Sequence, residues 1–270
     1  MRPILIGLFG FTGCLFSIQH KLIWSPQHYG AEYKEMLPKR AVELRYSTTQ
    51  GKQCVLYIPP RKGSAGPPAR LWVLCGGNGS LALDWTNLVL EDPNRQDGFL
   101  LIDYPGFGNC EGSAEPGSIS ESMEKAMTEL ATHLHTTPDE LDRRLNVLGH
   151  SIGCAVVLEF ACRHPVHRVV LLAPFTSLRD MAQKRVGWPL CYLLLHNFDN
   201  RARLGQLAGR PEPPRVAIFH GKKDEVIPER MGRELANMYP KMIMFHEVPE
   251  ASHNSIADDA EMEIYSAMND

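Results

Sequence analysis

The run Leu145-Asn146-Val147-Leu148-Gly149-His150-Ser151-Ile152-Gly153, followed by the apolar stretch Cys154–Cys162, decides how this chain is read. A short apolar run of this kind fits a buried strand, and the stretch behind it has the length and pattern of a helix. Between them stands G-x-S-x-G. Glycine at 149 and 153 removes Cβ atoms that would clash where strand and helix approach closely. The sharp turn lifts the Ser151 hydroxyl above the sheet edge. The helix starting just behind it offers unbonded N–H groups and a dipole to a developing oxyanion. The five-residue pattern arises by chance in many chains; the strand–turn–helix setting makes it specific.

Working outward, further strands are predicted at Ala41–Ser47, Gln53–Ile58, Leu71–Cys75, Phe99–Asp103, Val169–Ala173, Val216–Phe219 and Met242–Val248. Several are continuous apolar runs, as strands covered on both faces are. Thr49-Gln50-Gly51-Lys52 joins the first two as a hairpin. Helices are predicted over Ile119–His135, Cys154–Cys162 and Pro228–Tyr239. Strands alternating with helices imply an α/β fold with a mostly parallel eight-stranded sheet flanked by helices.

A serine hydroxyl is a weak nucleophile until a base takes its proton. The strand Val216–Phe219 runs into His220-Gly221-Lys222-Lys223-Asp224-Glu225-Val226-Ile227-Pro228, and Met242–Val248 into Pro249-Glu250-Ala251-Ser252-His253-Asn254. Asp224 and His253 therefore lie in turns just past strand ends, and the ends of parallel strands share one rim with Ser151. Other histidines fit the base less well. His150 sits beside the serine on the backbone, His164 and His167 flank Pro165 in a surface loop, and His220 packs or bonds locally. His246, inside a strand, points to a sheet face. Glu225 is the neighbouring rival for the acid and fits a solvated turn charge.

The order Ser151, Asp224, His253, with GHSIG, GKKDEVIP and ASHN each placed after a strand, resembles the α/β-hydrolase superfamily from Ala41 to the C-terminus. The resemblance implies a Ser-His-Asp triad and a serine hydrolase cleaving a carboxylic ester or related acyl bond, a lipid-like ester or thioester among them. It also implies an oxyanion hole from two backbone N–H groups. One is Ile152, after the nucleophile. The other comes from Gly76-Gly77-Asn78-Gly79-Ser80, after the third strand. The superfamily's His-Gly-X places Gly76 at the histidine, Gly77 at the glycine and Asn78 at the donor. Asp103-Tyr104-Pro105-Gly106-Phe107-Gly108-Asn109 resembles the family's D-x-x-G-x-G-x-S turn, with Asn109 for serine. It reads as structural, with substrate contact by Tyr104 or Phe107 as the lesser alternative. The stretch of about 177–212 after the sixth strand corresponds to a short lid, or to a helix packed on the sheet.

The same residues serve an acyltransferase or a peptidase, and a low-turnover ligand-binding protein on this fold keeps them too. Gly106-x-Gly108-x-x-x-Gly112 lacks the spacing of a dinucleotide site. No cofactor and no metal are expected, since no His/Cys cluster or C-x-x-C occurs. Seven cysteines without paired spacing fit small buried hydrophobes better than a disulfide framework. A net charge of −3 gives no basic surplus for nucleic acid. With 44 % hydrophobic residues in 270, the chain is long enough for a sizeable core.

Pro3–Ile18 is wholly uncharged and almost wholly apolar, slightly shorter than a membrane-spanning helix requires. It reads as a signal anchor over 1–20, with Trp24 at the membrane interface and the hydrolase domain over 21–270. A cleaved secretory signal and, through Phe11-Thr12-Gly13-Cys14, a lipoprotein signal are the alternatives. Membrane association through this segment is the expected location, on a side that its flanking charges leave open. Leu22-Ile23-Trp24-Ser25-Pro26 and Gly77-Asn78-Gly79 resemble the N-terminally anchored abhydrolase-domain group within the superfamily.

Overall fold

The structure is a computed structural model and describes residues 19–21, 23–62, 66–94, 96–194 and 197–269. Eight strands form one sheet: β1 Val42–Thr48, β2 Gly51–Ile58, β3 Arg70–Cys75, β4 Asp97–Ile102, β5 Leu145–His150, β6 Arg168–Leu172, β7 Arg215–Gly221 and β8 Ile243–Val248. Their order is β1-β2-β4-β3-β5-β6-β7-β8. β2 runs antiparallel to β1 and β4, and β4-β3-β5-β6-β7-β8 are parallel. The β1–β2 register pairs Thr48 with Gly51, whose φ of +104° suits glycine at the hairpin.

The longer helices are α1 Pro116–His133, α2 Ile152–Ala161, α3 Leu178–Val186, α4 Asn200–Ala208, α5 Glu229–Met238 and α6 Glu261–Asn269. Alternation along β3 shows how they cover the sheet. Leu71, Val73 and Cys75 join one buried cluster with α1, α2, α4 and α5 residues such as Met123, Val156, Leu204 and Leu235. Trp72 and Leu74 join the opposite cluster with Ile264 and Met268 of α6. Both faces are dry, so β3, β4 and β5 lack exposed positions, which is why they read as unbroken apolar runs.

Two expectations change. The span 177–212 divides. Ser177 and Asp199 pair as an isolated antiparallel bridge, closing the base of an excursion that holds α3. Past that bridge, α4 packs against α2 and buries Leu204 and Leu207 completely, so it is part of the body. Trp24 is 4 % exposed and meets Tyr104 and Phe107 edge-on at 5.3 and 6.3 Å, so it is a core residue and not an interfacial one. Tyr104 and Phe107 are buried in the same contact, which removes them as substrate contacts. His20 also bonds to the body, through the Ala114 carbonyl (3.1 Å), and Gln19 to the excursion, through the Leu193 carbonyl (2.7 Å). The apolar run to residue 18 lies outside the described residues. Among those described, no helix is long and apolar enough to cross a membrane.

Candidate active site

Ser151 follows β5 directly and precedes the first residue of α2, with φ +56° and ψ −120°. A non-glycine residue there carries strain of about 1–3 kcal/mol, and the surroundings hold it in place. Its amide donates to the Leu172 carbonyl (2.9 Å) at the end of β6. A Cβ on Gly149 would sit 2.5 Å from the Gly153 carbonyl oxygen. One on Gly153 would sit 2.1 Å from that of Cys75. The two glycines are therefore the condition for packing strand, helix and the loop after β3 around one serine.

His253 stands in the loop after β8, and its Nε2 lies 3.0 Å from Ser151 Oγ. Its Nδ1 lies 2.8 Å from Asp224 Oδ2. Asp224 Oδ1 accepts from the amides of Val226 (2.9 Å) and Ile227 (2.7 Å), so the carboxylate is fixed by its own turn. The two loops are laced together. The Lys223 amide donates to the Ala251 carbonyl (3.1 Å), and a Cβ on Gly221 would lie 2.3 Å from that same oxygen. The sequence-selected Ser151, His253 and Asp224 are thus brought into one hydrogen-bonded chain. Burial alone would raise the Asp224 pKa. Hydrogen bonds from His220 and His253, then the His253 charge and the Ile227 amide, outweigh it and hold the carboxyl well below the usual range.

Two neighbours were not legible as parts of this site. His220 is fully buried, with Nε2 2.9 Å from the Ile227 carbonyl and 3.3 Å from Asp224 Oδ2. A carbonyl only accepts, so Nε2 carries the proton and can also favour the carboxylate. His150 is buried with Nε2 2.9 Å from the His253 carbonyl, and by the same reasoning donates to it. Its ring lies 4.9 Å from that of His253 and 5.6 Å from that of Trp85. Burial, then repulsion by His253, pushes the His150 pKa down to about 4, so it is neutral near pH 7. His150, next to Ser151, thereby ties down the backbone of the loop carrying His253. Glu225 is no rival to Asp224: its carboxylate accepts from the His253 amide (3.3 Å). His246 stacks on Phe219 at 4.4 Å on a sheet face, away from Ser151.

The loop Gly76–Ser80 closes the other side. A Cβ on Gly77 would lie 3.2 Å from His150 Nδ1 and 3.6 Å from Ser151 Cβ, so this backbone faces Ser151. A Cβ on Gly76 would meet Ser80 Cβ at 2.7 Å and Trp85 Nε1 at 2.8 Å. That space is filled, which accounts for glycine where the superfamily carries histidine. Tyr104 Oη donates to the Gly76 carbonyl (2.7 Å), and the Ser25 amide to the Asn78 carbonyl (2.9 Å). Ile152 opens α2, where a helix leaves its amides without intrahelical acceptors.

Among the described residues no group of His, Cys, Asp and Glu could hold a metal ion. Cys54, Cys75, Cys110, Cys154 and Cys191 are buried free thiols, and Cys162 is half-buried and free.

The model of the alpha/beta hydrolase family matches residues 72–198, a span that contains Ser151. An uncharacterized protein of Mycobacterium tuberculosis (strain H37Rv) is 25 % identical over 73 % of this chain and 66 % of its own length. The present chain thus spans about two thirds of that relative. The uncharacterized protein YfhR of Escherichia coli K12 is 24 % identical over 90 % of this chain and 80 % of its own. Among solved structures, a Pyrococcus furiosus esterase superposes with a TM-score of 0.67 at 12 % identity, covering 92 % of this chain and 96 % of the esterase. The S-formylglutathione hydrolase of Staphylococcus aureus gives 0.61 at 15 % identity, over 85 % and 97 %. With the sheet order and the serine turn, these matches support an assignment of the chain to the α/β-hydrolase superfamily, whose fold it has.

Proposed function

We propose that this protein is a serine hydrolase that cleaves a carboxylic ester or related acyl bond through Ser151, His253 and Asp224. The observation that carries the reading is the chain Ser151 Oγ–His253 Nε2–His253 Nδ1–Asp224 Oδ2, at 3.0 and 2.8 Å, starting from a serine held at positive φ. Asp224 accepts the Nδ1 proton, so Nε2 presents a lone pair to the serine hydroxyl. In the reaction His253 takes the Ser151 proton as Oγ bonds the acyl carbon. The carbonyl electrons move to oxygen, and the amides of Ile152 and Asn78 receive that oxyanion. His253 returns the proton to the departing alcohol or thiol, leaving an acyl-enzyme. Water then attacks with His253 as base, and Ser151 is restored with release of the acid. Neutral His150 suits this cycle, because a cation 4.9 Å from the His253 ring would oppose formation of the imidazolium.

A lipid-like acyl group fits the apolar character of the excursion between Ser177 and Asp199. The test is hydrolysis of acyl esters and thioesters of graded chain length by wild type and Ser151→Ala. Turnover by wild type that the variant lacks supports the reading. Equal rates for the two would overturn it.

A further inference from the structure

The excursion closed by Ser177 and Asp199 carries a cluster of large apolar side chains turned to solvent. Trp188 is 73 % exposed, Leu190 55 %, Tyr192 61 % and Leu193 47 %. Four such residues within six positions form a patch of a kind that soluble monomers seldom leave uncovered. Trp and Tyr are the residue types favoured where lipid meets water.

Three further observations point to one occupant. The excursion is basic: from Leu178 to Leu194 the charged residues are Arg179, Lys184, Arg185 and a single acid, Asp180. Asp180 is neutralised by Arg201 at 2.6 Å, while Lys184 is exposed and the Arg179 guanidinium lies over the Tyr192 ring at 5.0 Å. Gln19 Nε2 donates to the Leu193 carbonyl at 2.7 Å. The sequence just before Gln19, Pro3–Ile18, has no charged residue. Finally, the excursion leaves the sheet just past β6, whose Leu172 carbonyl holds the Ser151 amide, so it rises from the rim that carries the serine. We infer that Trp188, Leu190, Tyr192 and Leu193, with Lys184 and Arg179 beside them, dock on the surface of an anionic lipid bilayer. The rim carrying Ser151 then faces the membrane, where an acyl ester substrate would be drawn from lipid. The docking goes beyond the hydrolase reading and stands without it.

Tryptophan fluorescence isolates this surface. The protein has four tryptophans, and Trp24, Trp72 and Trp85 are buried, so Trp188 reports alone on the patch. The full-length protein is bound to vesicles of phosphatidylcholine and phosphatidylserine with brominated acyl chains. Emission is compared between wild type and Trp188→Phe, with acrylamide as the aqueous quencher. Docking predicts bromine quenching that Trp188→Phe largely abolishes, and shielding of Trp188 from acrylamide on vesicles. It also predicts weaker shielding when Lys184 is replaced by Gln, by about five-fold in vesicle affinity. Equal bromine quenching of both proteins, or a Trp188 still open to acrylamide on vesicles, would overturn it. So would shielding that appears without lipid as protein concentration rises, which would assign the patch to a second copy. Fluorophosphonate labelling of Ser151 in the same samples separates the two readings. Quenching without labelling supports docking and counts against the hydrolase, and labelling without quenching does the reverse.

Discussion

Asp103 and Asp224 are two buried carboxylates at the same rim of the sheet, one just past β4 and the other past β7. Their surroundings drive them in opposite directions. Asp103 accepts from the Ala82 amide (2.8 Å) and the Tyr29 hydroxyl (2.9 Å), both neutral donors. Burial dominates there, and its pKa is pushed up to about 6. Asp224 is buried too, but two histidines and two amides favour its charged form and hold it low. The first ties the Tyr29 segment and the turn at Ala82 to the sheet. The second is held anionic beside the His253 ring. Burial alone thus does not set the charge of a carboxyl group; the donors facing it do.

The contrast can be broken most sharply at Asp224. Asp224→Asn should lower kcat/KM by about 10⁴-fold with the fold intact, because an amide no longer enforces the Nδ1–H tautomer. Steady-state ester hydrolysis measures this, and a loss under tenfold would contradict the role given to Asp224. His150→Ala removes the donor to the His253 carbonyl. A loosened loop should lower kcat by roughly 10- to 100-fold with little change in KM. An unchanged kcat, or an effect confined to KM, would remove His150 as a positioning residue.

Asp103 should behave as a stability group. Its folded pKa lies above the unfolded value near 3.8, so it binds protons more tightly in the folded state. Its contribution is fully present below about pH 4 and is lost as pH rises through about 6, a swing of about 3 kcal/mol. Asp103→Asn should flatten this part of the stability–pH curve while leaving kcat near wild type. Urea denaturation at pH 4.5 and 7.5 checks the slope.

The smallest effect is expected at His164, which lies 2.9 Å from Asp142 and 3.2 Å from Glu124. Burial lowers its pKa, but Glu124 and Asp142 together raise it above the ordinary value. Its stabilisation is present below the unfolded value near 6.5 and lost as pH rises through the folded pKa. With both carboxylates partly exposed, His164→Gln should cost about 1 kcal/mol at pH 5.5 and less at pH 8.5. Denaturation of the pair at both pH values decides it.

The strands were legible because β3, β5, β6 and β7 are covered on both faces, and a doubly covered strand writes itself as an apolar run. Ser151 and Asp224 were legible because each follows such a run within a few residues, and His253 because it follows the partly exposed edge strand β8. What escaped depends on contacts between segments far apart in sequence. His150 meets the His253 carbonyl across 103 positions, and His164 meets Glu124 across 40. Trp24 was misplaced for a related reason. After an apolar run it fits a membrane border, and only the rings of Tyr104 and Phe107, eighty residues on, turn it into core. The span 177–212 read as one unit because nothing local announces the Ser177–Asp199 bridge that divides it.

The central claim is that Ser151 is a nucleophile activated by His253. Reaction with a fluorophosphonate, followed by peptide mass spectrometry, tests it most directly. The account predicts a single phosphonylated residue, Ser151, with labelling abolished in Ser151→Ala and strongly slowed in Asp224→Asn. A folded wild-type protein that stays unlabelled, or an adduct on another residue that persists in Ser151→Ala, would contradict it.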